Sequence, residues 1–345
     1  MNDLHDKVAG ALALSALGDV LGLPCEAAGL RGEVSPLVDW ELSVVDGFRE
    51  PAANCWNIWA PPEVTAGMRG VVSDDTAVRL VLIEPWLADA HRRGVTPTES
   101  DWRIWLRERA PESVAWREAT AAESAWQWLG FYDTAAGNGG GCDDTPCFYR
   151  PGVPVCFGNF LFLELGLIDA PVASVLDQGA GVAVSGLLGR AASEAVRARS
   201  VDPGFAAWWP SDASFGERHR SLSPAEFLAV VRDEIYHGPD APTHDLKPFD
   251  PTLQLRQISA CVGYAGDEPL LAIRLLASGA GDTDTLAATL GMILGARLGH
   301  AALRGGPAGE ALRLVEASTE TLFGRSTGDR VRAVLGPADS IRSSG

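Results

Sequence analysis

The chain has 345 residues, 46% hydrophobic and 21% charged, a balance that supports a large buried core and excludes a mostly disordered protein. Its formal net charge of −17, with no Lys/Arg-rich stripe, excludes a nucleic-acid backbone as the natural partner. Six irregularly spaced cysteines make no disulfide scaffold, MNDLHDKVAG lacks the charged-then-apolar pattern of a leader, and the apolar stretches are broken by Gly, Arg or Asp, so free thiols, a cytoplasmic location and no membrane partner are expected.

In chain order, residues 4 to 21 carry Val8, Ala11, Leu12, Ser15, Leu17 and Leu21 at helical period, which predicts a helix ended by Pro24. Gly10, Gly18 and Gly22 lie four or eight apart, a spacing that lets another backbone approach closely. Pro51, Pro61 and Pro62 argue for loops across residues 31 to 70. A second helix is expected from Asp74 to Arg93, with Pro85 as a kink or break. Trp102, Trp105, Trp116, Trp126 and Trp128 read as core or groove lining on one or two amphipathic helices. Residues 133 to 159 are rich in Gly and Asp and form a loop. Helical texture returns over 160–198, 224–236 and 265–278, with a loop at 239–252. A long helix is expected from Asp282 to about Leu303, and a last one over roughly 307–323. Strand signals are confined to a brief alternation at Gly152–Phe157. The fold class is therefore all-α, as one domain over residues 1–335 with a frayed tail at 336–345.

Three segments carry chemistry: Gly18-Asp19-Val20-Leu21-Gly22-Leu23-Pro24-Cys25-Glu26, Ser73-Asp74-Asp75-Thr76 and Gly281-Asp282-Thr283-Asp284-Thr285. The last two each place two acids beside hydroxyl residues at the start of an apolar helix. Ordinary capping accounts for one such segment, because carboxylates suit a helix N-terminus. Capping needs one Asp or Ser, not two acids followed by Thr, twice. Converging carboxylates repel unless neutralised, and a hard divalent cation does this with oxygen ligands. Two such clusters supply enough ligands for two cations roughly 3.5–4 Å apart. An EF-hand is excluded: from Asp282, the sixth position is Ala287 rather than Gly and the twelfth is Ile293 rather than Glu. Cys142 and Cys147 lack the further Cys or His pair of a zinc site. Gly291, Gly295 and Gly299 line one face of the late helix, and the first helix is the natural neighbour for that face.

In this order and at these distances, the three segments resemble the signature of the ADP-ribosylglycohydrolase family, which includes the dinitrogenase-reductase-activating glycohydrolases. The resemblance spans most of the chain. It implies an all-α orthogonal helical bundle with a dinuclear Mg²⁺ or Mn²⁺ centre in a central cleft. It implies metal ligands at Ser73, Asp74, Asp75, Asp282, Asp284 and Thr285, and chemistry at Glu26, Asp74 and Asp284. Glu26, seven residues after Asp19, is the implied acid/base on a mobile loop, and Asp19 is a structural, hydrogen-bonding residue that supports the site or fixes its helix. The implied reaction is hydrolysis at C1 of a ribose, with positive charge developing at C1 and the ring oxygen. The substrate is an ADP-ribosylated protein or a small ribosyl nucleotide. Asn138, Gly139 and Gly140 fall where relatives carry an N-G segment, and glycine N–H groups suit a phosphate or ribose.

Two stretches depart from the family pattern. Gly141-Cys142-Asp143-Asp144 replaces the Met-Arg that relatives carry after N-G, and Leu176–Ala180 lacks their histidine. Both lie where substrate is held, which keeps open a small-molecule N-riboside of specialised metabolism, or a non-catalytic ADP-ribose binder. A structural role is a third reading, since a lens crystallin is similar to the same family.

Overall fold

The computed structural model describes residues 3–44, 65–73, 75–76, 79–80, 84–94, 180–197, 209, 211–243 and 247–335. The Trp-rich stretch 101–130, the loop with Asn138, Gly139 and Gly140, the residues Asp74, Cys142 and Cys147, the departures at 141–144 and 176–179, and the tail 336–345 lie outside the described residues.

Among the described residues the regular elements are helices, with one isolated bridge between Val44 and Arg69. They are α1 (Asp3–Leu30), α2 (Glu84–Arg93), α3 (Ala180–Arg197), α4 (Ser214–Arg218) and α5 (Pro224–Val230), which runs on as a π-helical turn over Val231–Tyr236. A 3₁₀ turn at Lys247–Phe249 precedes α6 (Pro251–Ala265), α7 (Pro269–Ala277), α8 (Thr283–Leu298), α9 (His300–Gly305), α10 (Gly309–Phe323) and α11 (Thr327–Leu335). The all-α expectation holds.

The centre is the pair α1 and α8. Every residue of α8 from Thr283 to Arg297 is buried, so it has no solvent face. The glycine prediction is met at the α1–α8 seam. A methyl group on Gly291 would lie 2.5 Å from the Leu14 carbonyl oxygen, and one on Gly295 would strike the Gly10 carbonyl. By length and apolarity α1 matches a membrane-crossing helix, yet 83% of its most apolar window is buried inside the protein.

Several boundaries differ from expectation. Pro24 does not end the first helix, because α1 continues to Leu30. Proline removes one main-chain bond, but the continuation buries Cys25 and Glu26, and the Gly29 carbonyl accepts the Gly281 N–H at 2.7 Å. The late helix does not run unbroken to Leu303: it stops at Gly299, with φ +80°, and restarts as α9. Asp6 of α1 draws the chain aside there by accepting the Ala301 N–H at 3.0 Å. The expected break at Pro85 is in keeping with α2, which opens at Glu84 and holds Pro85 in its first turn, where the missing N–H costs little. Helix α6 begins inside the stretch read as loop to 252, with Asp250 accepting the N–H groups of Thr252 and Leu253. Helix α11 lies beyond the last helix expected.

A buried ion cluster ties the periphery to this pair. Glu84 of α2 accepts from the Arg330 guanidinium of α11 at 2.9 Å and lies 3.9 Å from that of Arg79. Arg79 also donates to the Ser15 hydroxyl of α1 at 3.0 Å. Burial first, then the neighbouring Arg330 charge, brings the Arg79 guanidinium down to about 9.

Candidate metal centre

On α1, Asp19, Gly22 and Glu26 are three and four residues apart, so they share one face across two turns. With only hydrogen at Gly22, the backbone of Asp284 nests against that position; a methyl group there would strike the Asp284 nitrogen and Cα. The Thr283 hydroxyl donates to the Gly22 carbonyl at 2.8 Å and pins the start of α8. The Asp284 side chain is thereby delivered beside the α1 acids.

Glu26, Asp282 and Asp284 are all buried, and a carboxylate oxygen of each lies within 4.8 Å of the other two. Glu26 is thus part of a helix and of the acidic cluster, not of a loop. Burial, then the charges of Asp284 and Glu26, pushes the Asp282 carboxyl well above the usual carboxylate range. Burial also raises Asp284, against hydrogen bonds that include one with Ser73.

The Ser73 segment meets this cluster. Asp19, fully buried, accepts the Ser73 N–H at 2.9 Å and the Thr76 N–H at 3.2 Å. Burial and the Asp284 charge lift Asp19 to about 6 in spite of these bonds. Thr285 donates its hydroxyl to Asp75 at 2.9 Å, which joins the second and third segments directly. Ser73, Asp75, Asp282, Asp284 and Thr285 therefore converge at one place with Glu26 and Asp19. Asp74 and the substrate-loop residues Asn138, Gly139 and Gly140 lie outside the described residues.

Capping does not explain Asp282. It occupies the N-cap of α8 but makes no side-chain cap bond. Elsewhere in the same protein, Asp250 caps α6 with two bonds, and Ser223 and Glu226 form a reciprocal capping box on α5. Asp282 instead faces two other carboxylates. Three buried acids without a cation among them are electrostatically costly, and an all-oxygen donor set of this kind fits a hard divalent ion.

The wall behind Asp282 was not legible in the sequence. Tyr236, at the end of the π-helical turn, packs beside Gly281, and burial together with the Asp282 charge pushes its hydroxyl up to about 12. The Lys247 ammonium lies 4.4 Å from the Tyr236 ring centre. These residues sit on elements with no motif of their own.

A family model described as ADP-ribosylglycohydrolase matches residues 1–322. A solved structure described as an "ADP-ribosylglycohydrolase-related protein complex" is 19% identical, with coverage of 92% of this chain and 100% of that chain and a TM-score of 0.46. No curated protein matches.

Proposed function

The chain belongs to the ADP-ribosylglycohydrolase family and is a hydrolase, and from that premise we propose that it cleaves the C1 glycosidic bond of an ADP-ribosyl or related N-ribosyl substrate at a Mg²⁺- or Mn²⁺-dependent centre. The observation that carries this reading is the buried cluster of Glu26, Asp282 and Asp284, in which an N-cap aspartate forgoes its cap bond. Ser73, Asp74, Asp75, Asp282, Asp284 and Thr285 are the proposed ligands of two cations. Cations bound there would orient the ribose hydroxyls and acidify water. Glu26 moves the proton at its carboxylate. Asp19 holds the Ser73 and Thr76 amides, so that Ser73 faces Asp284.

The test is release of free sugar from ADP-ribosyl-arginine, ADP-ribosyl-serine and simple N-ribosides, with and without Mg²⁺ or Mn²⁺. Asp284→Asn is expected to abolish turnover and weaken metal binding while the protein stays folded. Glu26→Gln is expected to lower the rate by roughly 10²–10⁴-fold and affect metal binding less. Full turnover by Asp284→Asn removes the ligand assignment, and equal loss of rate and metal binding in Glu26→Gln removes its acid/base role. A metal-dependent rise in Tm with no sugar released from any substrate favours a binding protein instead.

A further inference from the structure

Asp282 is aimed by the turn Gly279-Ala280-Gly281, and that turn is clamped from two helices. From α1, the Gly29 carbonyl accepts the Gly281 N–H at 2.7 Å. From α6, Gln257 Nε2 donates to the Ala280 carbonyl at 2.5 Å. Gly281 takes φ +100°, a conformation that side chains rarely adopt, and a methyl group there would meet Gln257 Oε1 at 3.2 Å. The amide of Gln257 therefore lies against the backbone that immediately precedes Asp282.

Gln257 is 1% exposed, and among the described residues its Oε1 has no hydrogen-bond partner. Because the N–H side is committed to Ala280, the amide cannot turn to find one. A buried unmatched acceptor costs about 1–3 kcal/mol, so a glutamine serving only to fill space would be better replaced by an apolar residue of the same shape. We propose that Gln257 is a positioning residue of the metal centre: its N–H holds the turn that directs Asp282 at Glu26 and Asp284. This rests on the metal reading above. Gln257 touches the ligand-bearing backbone rather than the cation, and groups in that position commonly set metal affinity.

The experiment measures Mn²⁺ binding to metal-stripped full-length protein by electron paramagnetic resonance, beside Tm and steady-state rates. Gln257→Met keeps the shape and loses both polar atoms, whereas Gln257→Glu keeps the shape and loses the N–H. Both are expected to bind Mn²⁺ roughly 10–100-fold more weakly as folded proteins. Excess Mn²⁺ should restore most of the rate in both, and none of it in Glu26→Gln. A lowered Tm with unchanged Mn²⁺ affinity in the folded variants overturns the inference and leaves Gln257 a packing residue. If Gln257→Met does not fold, Gln257→Glu decides alone. If the unsubstituted protein binds no Mn²⁺, the metal reading itself fails; if it binds and Asp284→Asn does not, while both Gln257 variants bind normally, only the role of Gln257 fails.

Discussion

Asp19 shows how one carboxylate serves structure and chemistry together. It is fully buried, yet it accepts two backbone N–H groups of the Ser73–Thr76 turn, and burial and the charge of Asp284 hold it at about 6 against an ordinary 3.8. Between those two values the folded protein holds a proton that the unfolded chain has released, so stability falls as pH rises through that window. The penalty is in full force above about 6 and absent below 3.8. Asp282 and Asp284 are raised as well and act in the same direction. Metal-free protein is therefore expected to gain stability in urea unfolding when taken from pH 7 to about 5.5. Saturating Mn²⁺ should shrink or reverse that gain, because bound carboxylates must be ionised. A flat or opposite pH response in the metal-free protein would remove these carboxylates as the source of strain.

At the scale of elements, the α1–α8 seam both supports the fold and sets the site. Gly22 lies where the backbone of Asp284 passes, and Gly291 lies one helix over against Leu14, far along the seam. Gly22→Ala and Gly291→Ala should each cost about 1–3 kcal/mol through overpacking, read by denaturant unfolding. Only Gly22→Ala should also weaken Mn²⁺ binding in the folded protein, because it displaces Asp284. Gly305→Ala is the control: nothing lies within 4 Å of its added methyl, and it should be neutral or slightly stabilising. Equal metal affinity in Gly22→Ala and Gly291→Ala would separate the seam from the site. Glu316 is a second junction of elements, where α10 accepts bonds from His300 and Arg304 of α9 and Thr327 of α11.

Over the whole molecule, the outer helices are fastened to the centre through charge. Glu84 lies between the buried guanidiniums of Arg79 and Arg330, and so links α2, α11 and, through Ser15, α1. Glu84→Gln leaves two buried cations without their carboxylate and should cost about 3–5 kcal/mol. Combining it with Arg330→Met should recover part of that loss, since one of the stranded charges is gone. A single variant as stable as the parent would mean that these charges are solvated in the folded protein.

The amino-acid sequence by itself determined the all-α class, the family and the acid-rich segments, because helical periodicity, glycine spacing and paired carboxylates are local patterns. It also holds local capping signals outside those motifs: Asp250 and Pro251 open α6, and Ser326 with Asp329 forms reciprocal bonds at the start of α11. Only the tertiary structure decided that α1 runs through Pro24 and carries Glu26 into the cluster, since the stabilising contacts come from residues more than 250 positions away. The same holds for Asp282, whose sequence reads as a cap and whose carboxylate turns to two other acids, and for Gln257, which has no motif at all. Local propensity is written in neighbouring residues; the desolvation and charge that make a site arise only when distant segments are brought together.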